Sequence, residues 1–127
     1  MTVADTSVLI VDDDPVVRRM LQLTFESEGF DVITAADGVE ALAAVRADRP
    51  AIMVLDIMMP KLDGMKVMHE LKADDDLRNI PVILLSAKAT SFDIELGLKA
   101  GAADYVTKPC DPIDLVDRVR NLLATTG

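Results

Sequence analysis

Five residues of this 127-residue chain have the types and the spacing to do chemistry together: Asp12, Asp13, Asp56, Ser86 and Lys108. Asp12 and Asp13 open a run of three aspartates that follows the apolar stretch Val8 to Val11 with no spacer, in "VLIVDDDP". Two unit charges about 4 Å apart interact by roughly 4 kcal/mol at an effective dielectric near 20, so such a run needs something to offset it. Asp12, Asp13 and Asp56, with no nitrogen or sulfur ligands beside them, suit a hard divalent cation. A site with few protein ligands and several waters suits magnesium. With the metal and the Lys108 ammonium in place the carboxylate charge is balanced, and the site is ready for a phosphoryl group. A carboxylate can itself be the nucleophile, forming an acyl phosphate while metal and lysine neutralise the transferring oxygens. Asp56, alone on its strand, is the natural acceptor. Asp14, followed by Pro15, has a different role: it reads as a helix N-cap with proline in the first turn.

The elements that must position these groups follow from hydropathy. Candidate strands are Val8 to Val11, Asp31 to Ala35, Ile52 to Leu55, Val82 to Leu85 and Tyr105 to Thr107. Between and after them apolar residues recur with helical spacing, as in Val16, Val17, Met20, Leu21 and Phe25, and again in Leu115, Val116, Val119, Leu122 and Leu123. Both sets are expected to be buried faces. Gly29 ends the first helical pattern, Asp37-Gly38 precedes the second, and "DDDLRNIP" leads into the fourth strand. Five strands alternating with five helices predict an α/β fold with a parallel sheet covered on both faces, its first, third and fourth strands interior. Ligands of such sheets bind outside the carboxyl ends of the strands. Asp12 and Asp13 follow the first strand, Asp56 the third, Ser86 the fourth and Lys108 the fifth, so all five residues fall at one edge.

Composition sets the frame. A chain of this length, 50% hydrophobic and 28% charged, supports one packed core. A single domain over 1–127 is expected, with its core at about 7–123. No run approaches the roughly 18 apolar residues of a membrane span, and "MTVADTS" lacks the pattern of a secretory signal. A cytoplasmic protein is expected. Cys110, the sole cysteine, cannot form an internal disulfide. A net charge of −9, from 22 acids against 13 bases, argues against direct binding of nucleic acid or anionic membrane.

The segments "VLIVDDDP", "VLDIMMPKLDG", "VILLSAKA" and "GAADYVTKP" resemble those of response-regulator receiver domains of two-component signalling, the CheY-like superfamily. The resemblance covers essentially residues 7 to 123. It implies a flavodoxin-like, doubly wound sheet of strand order 2-1-3-4-5, the order also seen in the chemotaxis member of the family. It further implies that Asp56 is the phosphoacceptor, that Asp13 binds magnesium directly and Asp12 partly through water, and that the Met58 carbonyl is another ligand. Ser86 and Lys108 would each contact a phosphoryl oxygen, and the Lys108-Pro109 bond is expected to be cis. Phosphorylation would draw Ser86 inward and turn Tyr105 into the space vacated, remodelling the surface of the fourth helix, fifth strand and fifth helix. Such a protein is a signal relay, not an enzyme with an outside substrate. Its implied partners are a histidine kinase or histidine phosphotransfer protein and a downstream output protein or linked effector. With "ATTG" after Leu123, the chain reads either as a stand-alone relay or as a receiver cut from a longer regulator, for instance one that binds DNA.

Other readings fit less well. A flavodoxin-type nucleotide binder wants a hydroxyl- and glycine-rich loop where "VDDDPVV" stands, and the chain has no tryptophan to stack a flavin. A magnesium-dependent phosphatase usually carries a second acid two residues after its aspartate nucleophile, where Met58 is found. A degenerate receiver acting only as a docking surface would not need all five site residues. Cys110 stands where the family most often has phenylalanine, which predicts looser packing under the Lys108-Pro109 turn and leaves a reactive thiol as a minor reading. Met58 and Lys88 are expected to tune the acyl phosphate lifetime. Asp74 to Asp76 read as a solvated loop, His69 as an exposed helical residue, and Met53, Met58, Met59, Met65 and Met68 as core and loop packing. Asp104 and Arg118 form a candidate charged pair of the kind that dimerising family members use. Ile94 stands where those members often carry a basic residue, so Asp114 lacks an obvious partner. The expectation is a monomer or a weak phosphorylation-dependent dimer, with Ile94, if exposed, an apolar anchor for another protein.

Overall fold

The computed structural model describes residues 7–59, 63–88 and 90–126. Residues 1–6 of the "MTVADTS" segment, residues 60–62 of "VLDIMMPKLDG", Ala89 of "VILLSAKA" and Gly127 lie outside them. Strands β1 (Ser7–Val11), β2 (Asp31–Ala35), β3 (Ile52–Asp56), β4 (Val82–Ser86) and β5 (Asp104–Thr107) alternate with helices α1 (Pro15–Ser27), α2 (Gly38–Asp48), α3 (Gly64–Ala73), α4 (Ser91–Lys99) and α5 (Pro112–Thr126). All strand pairs are parallel, in the order β2-β1-β3-β4-β5. The fold is the expected flavodoxin-like one.

Strand alternation divides the core into two layers. On one face Val8, Ile10, Ile52, Val54, Ile83 and Leu85 meet Leu21 and Phe25 of α1 and Leu115, Val116 and Val119 of α5. On the other, Leu9, Val11, Met53, Leu55, Val82 and Leu84 meet α2 and α3, and Ile94 of α4 packs against this layer. The central strands β1, β3 and β4 are buried along their whole length, whereas the edge strands β2 and β5 are only partly covered. Parallel strands covered on both faces require this continuous apolar character.

Short polar side chains start the helices. Asp14 accepts hydrogen bonds from the backbone N–H groups of Val16 and Val17, with Pro15 as the first helical residue, as expected. Asp37 caps α2 at the Glu40 amide, and the Glu40 carboxylate accepts from the Ala36 N–H. Asp63 and Thr90 cap α3 and α4.

Three expectations need correction. Asp56 and Ser86 do not follow their strands but end them, because the backbone ladder continues past the last apolar side chain; Asp56 registers with Leu85 and Ser86 with Thr107. Val16 and Met20 are exposed at 75% and 43%, so α1 buries only the narrower stripe through Leu21 and Phe25. Ile94 is half-buried on the core, and the exposed apolar residues of α4 are Phe92, Leu96 and Leu98.

Candidate functional site

The sheet register creates the site. Val11 of β1 lies opposite Leu55 of β3, so the next residues, Asp12 and Asp56, emerge side by side at the carboxyl ends of two central strands. Asp12 and Asp56 are both buried, while Asp13 is exposed. One carboxylate oxygen from each of Asp12, Asp13 and Asp56 lies within 4.8 Å of the others. Lys108, just past β5, reaches across β4, and its Nζ sits 2.9 Å from Asp12 Oδ2 and 3.2 Å from Asp56 Oδ2. The Lys108-Pro109 peptide bond is cis, as the resemblance implies. The three consecutive aspartates thus diverge: Asp12 pairs with Lys108, Asp13 faces solvent beside the cluster, and Asp14 caps α1. Lys108 offsets the charge of Asp12 and the first amides of α1 that of Asp14, while Asp13 is left to solvent.

Neighbouring backbone groups fix the carboxylates further. Asp12 Oδ1 accepts from the Asp14 N–H at 2.9 Å, and Asp56 Oδ1 accepts from the Met58 N–H at 3.1 Å. Burial pushes the Asp56 carboxyl up from its ordinary 3.8 to about 6; the Lys108 charge pulls it down, the Asp12 charge adds to the rise, and the Met58 N–H opposes it. Lys108 loses some of its preference for charge through burial. Its hydrogen bond to Asp12 and the charges of Asp56 and Asp12 more than restore it, and the ammonium is held above its usual range.

Ser86 is fully buried at the end of β4, where its Oγ accepts from the Lys88 N–H at 3.1 Å and its backbone carbonyl accepts from the Lys108 N–H at 2.8 Å. Tyr105 lies inward, 8% exposed, with its hydroxyl donating to the Lys88 carbonyl at 2.8 Å. Ser86 and Tyr105 therefore meet the same short segment after β4. Met58 is 53% exposed, and with Ile57, Met59, Asp63, Met65 and Lys88 it lines a cavity of about 490 Å³.

Two residues of the site have roles that the sequence motifs do not reveal. Gly64, the first residue of α3, packs against the end of β3; a Cβ there would stand 2.7 Å from the Asp56 carbonyl oxygen and 2.7 Å from Ile57 Cα. Gly64 closes the segment "VLDIMMPKLDG", but the segment alone does not reveal this approach. Arg18 donates from Nη1 to the Asp12 carbonyl at 2.8 Å, tying α1 to the loop after β1. A half-exposed arginine on a helix offered no sign of that contact.

The remaining candidates sort plainly. Beneath Lys108 and Pro109 an apolar pocket of about 300 Å³ is lined by Val17, Met20, Leu21, Leu85 and Cys110, where looser packing was expected. Burial raises the Cys110 thiol above its usual value despite the Lys108 charge, which disfavours the reactive thiolate. His69 is exposed, and Asp75 and Asp76 are exposed and pair with Arg78 and Arg49. Arg118 bonds both Asp104, at 2.8 Å, and Asp114, at 3.0 Å, within the chain. Asp114 therefore does have a partner. Among the described residues no helix is long and apolar enough to cross a membrane.

Comparison with known proteins accords with this geometry. A family model described as the response regulator receiver domain matches residues 8–120. The transcriptional regulatory protein CseB of Streptomyces coelicolor is 48% identical over 122 residues, 96% of this chain and 51% of that protein. The DNA-binding response regulator MtrA of Mycolicibacterium smegmatis is 45% identical over 113 residues, 89% of this chain and 48% of that protein. The chain thus spans about half the length of these curated relatives. The receiver domain of Francisella response regulator 1452 superposes with a TM-score of 0.91 at 37% identity, covering 96% of this chain and 99% of that structure.

Proposed function

This chain belongs to the response-regulator receiver family, and from that premise we propose that Asp56 accepts a phosphoryl group from the phosphohistidine of a separate kinase or phosphotransfer protein. The observation that carries this reading is the Lys108 ammonium joining Asp12 and Asp56 at 2.9 and 3.2 Å, beside the Asp13 carboxylate. The all-oxygen donor set of Asp12, Asp13 and Asp56 fits magnesium; the Met58 carbonyl, by the family resemblance, would be a further ligand. Magnesium, when bound, supplies positive charge to the oxygens of the transferring phosphoryl group.

The chain's own residues do the rest. With its carboxyl titrating at about 6, Asp56 is mainly ionised at neutral pH. Its oxygen attacks phosphorus; the new O–P bond forms as the donor's N–P bond breaks, and the imidazole keeps the electron pair. Lys108 shifts a donor from Asp56 to a phosphoryl oxygen, and the Ser86 hydroxyl donates to another. The domain catalyses only this step and the slow hydrolysis of the product. Movement of Ser86 then acts through the segment after β4 on Tyr105, and the surface of α4, β5 and α5 is the output face. The names of the relatives, a transcriptional regulator and a DNA-binding response regulator, favour a transcriptional output through a linked or separate partner. Arg118 already satisfies Asp104 and Asp114 within the chain, which favours a monomer or a weak dimer.

The test is intact mass after incubation with acetyl phosphate, with magnesium or with chelator, for wild type and Asp56→Asn. The reading expects a gain of about 80 Da that needs both Asp56 and the metal, as aspartyl-phosphate chemistry requires. No adduct from acetyl phosphate or from a competent phosphohistidine donor, in folded protein with magnesium bound, refutes it.

A further inference from the structure

Glycine inside a helix lowers stability relative to alanine, yet Gly97 lies inside α4 and is that helix's one buried residue. It is not among the residues of positive φ, so backbone conformation does not require it. Space does. A Cβ at Gly97 would stand 2.8 Å from Cδ2 and 3.0 Å from Cε2 of Tyr105, and 3.0 Å from Cδ1 of Leu84. The ring cannot yield cheaply, because strand β5 holds its root and the hydroxyl is bonded to the Lys88 carbonyl.

We propose that Gly97 is the positioning residue of the Tyr105 switch: the missing side chain lets the ring lie inward before any phosphoryl group arrives. A methyl group at position 97 shifts the ring toward the outward state. The inference rests on the switch reading of Tyr105 given above and deepens it. Phosphorylation then adds weight to an inward state that the fold already accommodates, a shift of population between existing states.

Tyr105 is the only tyrosine of the chain and there is no tryptophan, so intrinsic emission reports one ring. Acrylamide quenching is measured on wild type and Gly97→Ala, first without a phosphodonor and then with magnesium and acetyl phosphate. The expected result is a wild-type ring already largely shielded and shielded further by the phosphodonor, and a severalfold rise in quenching for unphosphorylated Gly97→Ala, reversed at least in part by the phosphodonor. Equal shielding of the two proteins without phosphodonor overturns the inference. A displaced ring in Gly97→Ala that ignores a proven phosphoryl adduct supports the role of Gly97 and refutes the phosphorylation switch instead.

Unfolding equilibria give a second readout should Gly97→Ala prove too unstable. The substitution should lower the folding constant beside Tyr105. In a Tyr105→Ala background it should raise that constant by about two- to fivefold, the ordinary gain of alanine over glycine in a helix. A loss of the same size in both backgrounds overturns the inference.

Discussion

Asp56→Asn should make the metal-free protein more stable at neutral pH, although it removes one contact of Lys108. The carboxyl is raised from 3.8 to about 6, chiefly by burial. The folded state therefore holds the proton more tightly than the unfolded chain does. Stability from this group is fully present below 3.8 and is lost as pH rises through about 6. At 1.36 kcal/mol per pH unit the displacement is worth about 3 kcal/mol at pH 7 and about half that at pH 5. Asparagine imitates the uncharged form and escapes the loss. Urea unfolding of wild type and Asp56→Asn in chelator, at several pH values between 4 and 7, reads the difference directly. Asp56→Asn should lead by up to about 3 kcal/mol at neutral pH, with the gap closing as the medium becomes acidic. Magnesium should stabilise the wild type more and narrow the gap from the other side. A variant no more stable than wild type at pH 7, or a gap that ignores pH, would mean that the Lys108 bridge fully compensates the buried carboxylates, and the electrostatic argument would fail.

The proposed site predicts that magnesium affinity, followed by calorimetry, weakens as pH falls through about 6, because a metal held there would compete with the proton for the Asp56 oxygens; an affinity flat from pH 7 to 5 would contradict it. Gly64→Ala should cost about 1–3 kcal/mol in chemical unfolding, because the new Cβ meets backbone at the end of β3, and should slow phosphorylation by acetyl phosphate; wild-type stability would show that α3 shifts at no cost. Iodoacetamide should alkylate Cys110 more slowly in the folded protein than in urea, since burial raises the thiol. Faster labelling of the folded form would restore the reactive thiol.

Hydropathy marked all five strands and the first and last helices, because the central strands are uniformly apolar and α1 and α5 each bury a periodic stripe; the helices between were expected from the strand spacing and its turn residues. It missed the ends of β3 and β4, since a hydrogen-bond ladder does not stop where apolar side chains do, and Asp56 and Ser86 are polar residues in strand conformation. Helical spacing identified the face of α1 but not its width, which is why Val16 and Met20 were counted as buried. The acidic cluster and Lys108 were legible because side-chain chemistry betrays itself at strand ends. Gly64, Gly97 and Arg18 were not, because what they do depends on how closely neighbouring elements approach or on a main-chain acceptor, and residue types alone show neither.

The uneven anchoring of the helices has a consequence for local opening. α2 and α3 each bury four residues, whereas α4 buries Gly97 alone. Amide exchange should accordingly be fastest in α4, through excursions that leave the sheet intact, while amides of β1, β3 and β4 exchange only as the whole molecule unfolds. The acidic pocket is carried by the part of the protein that opens last, whereas α4, which belongs to the output face proposed above, opens first. A partner can reshape the outer edge without loosening the grip on whatever the pocket holds.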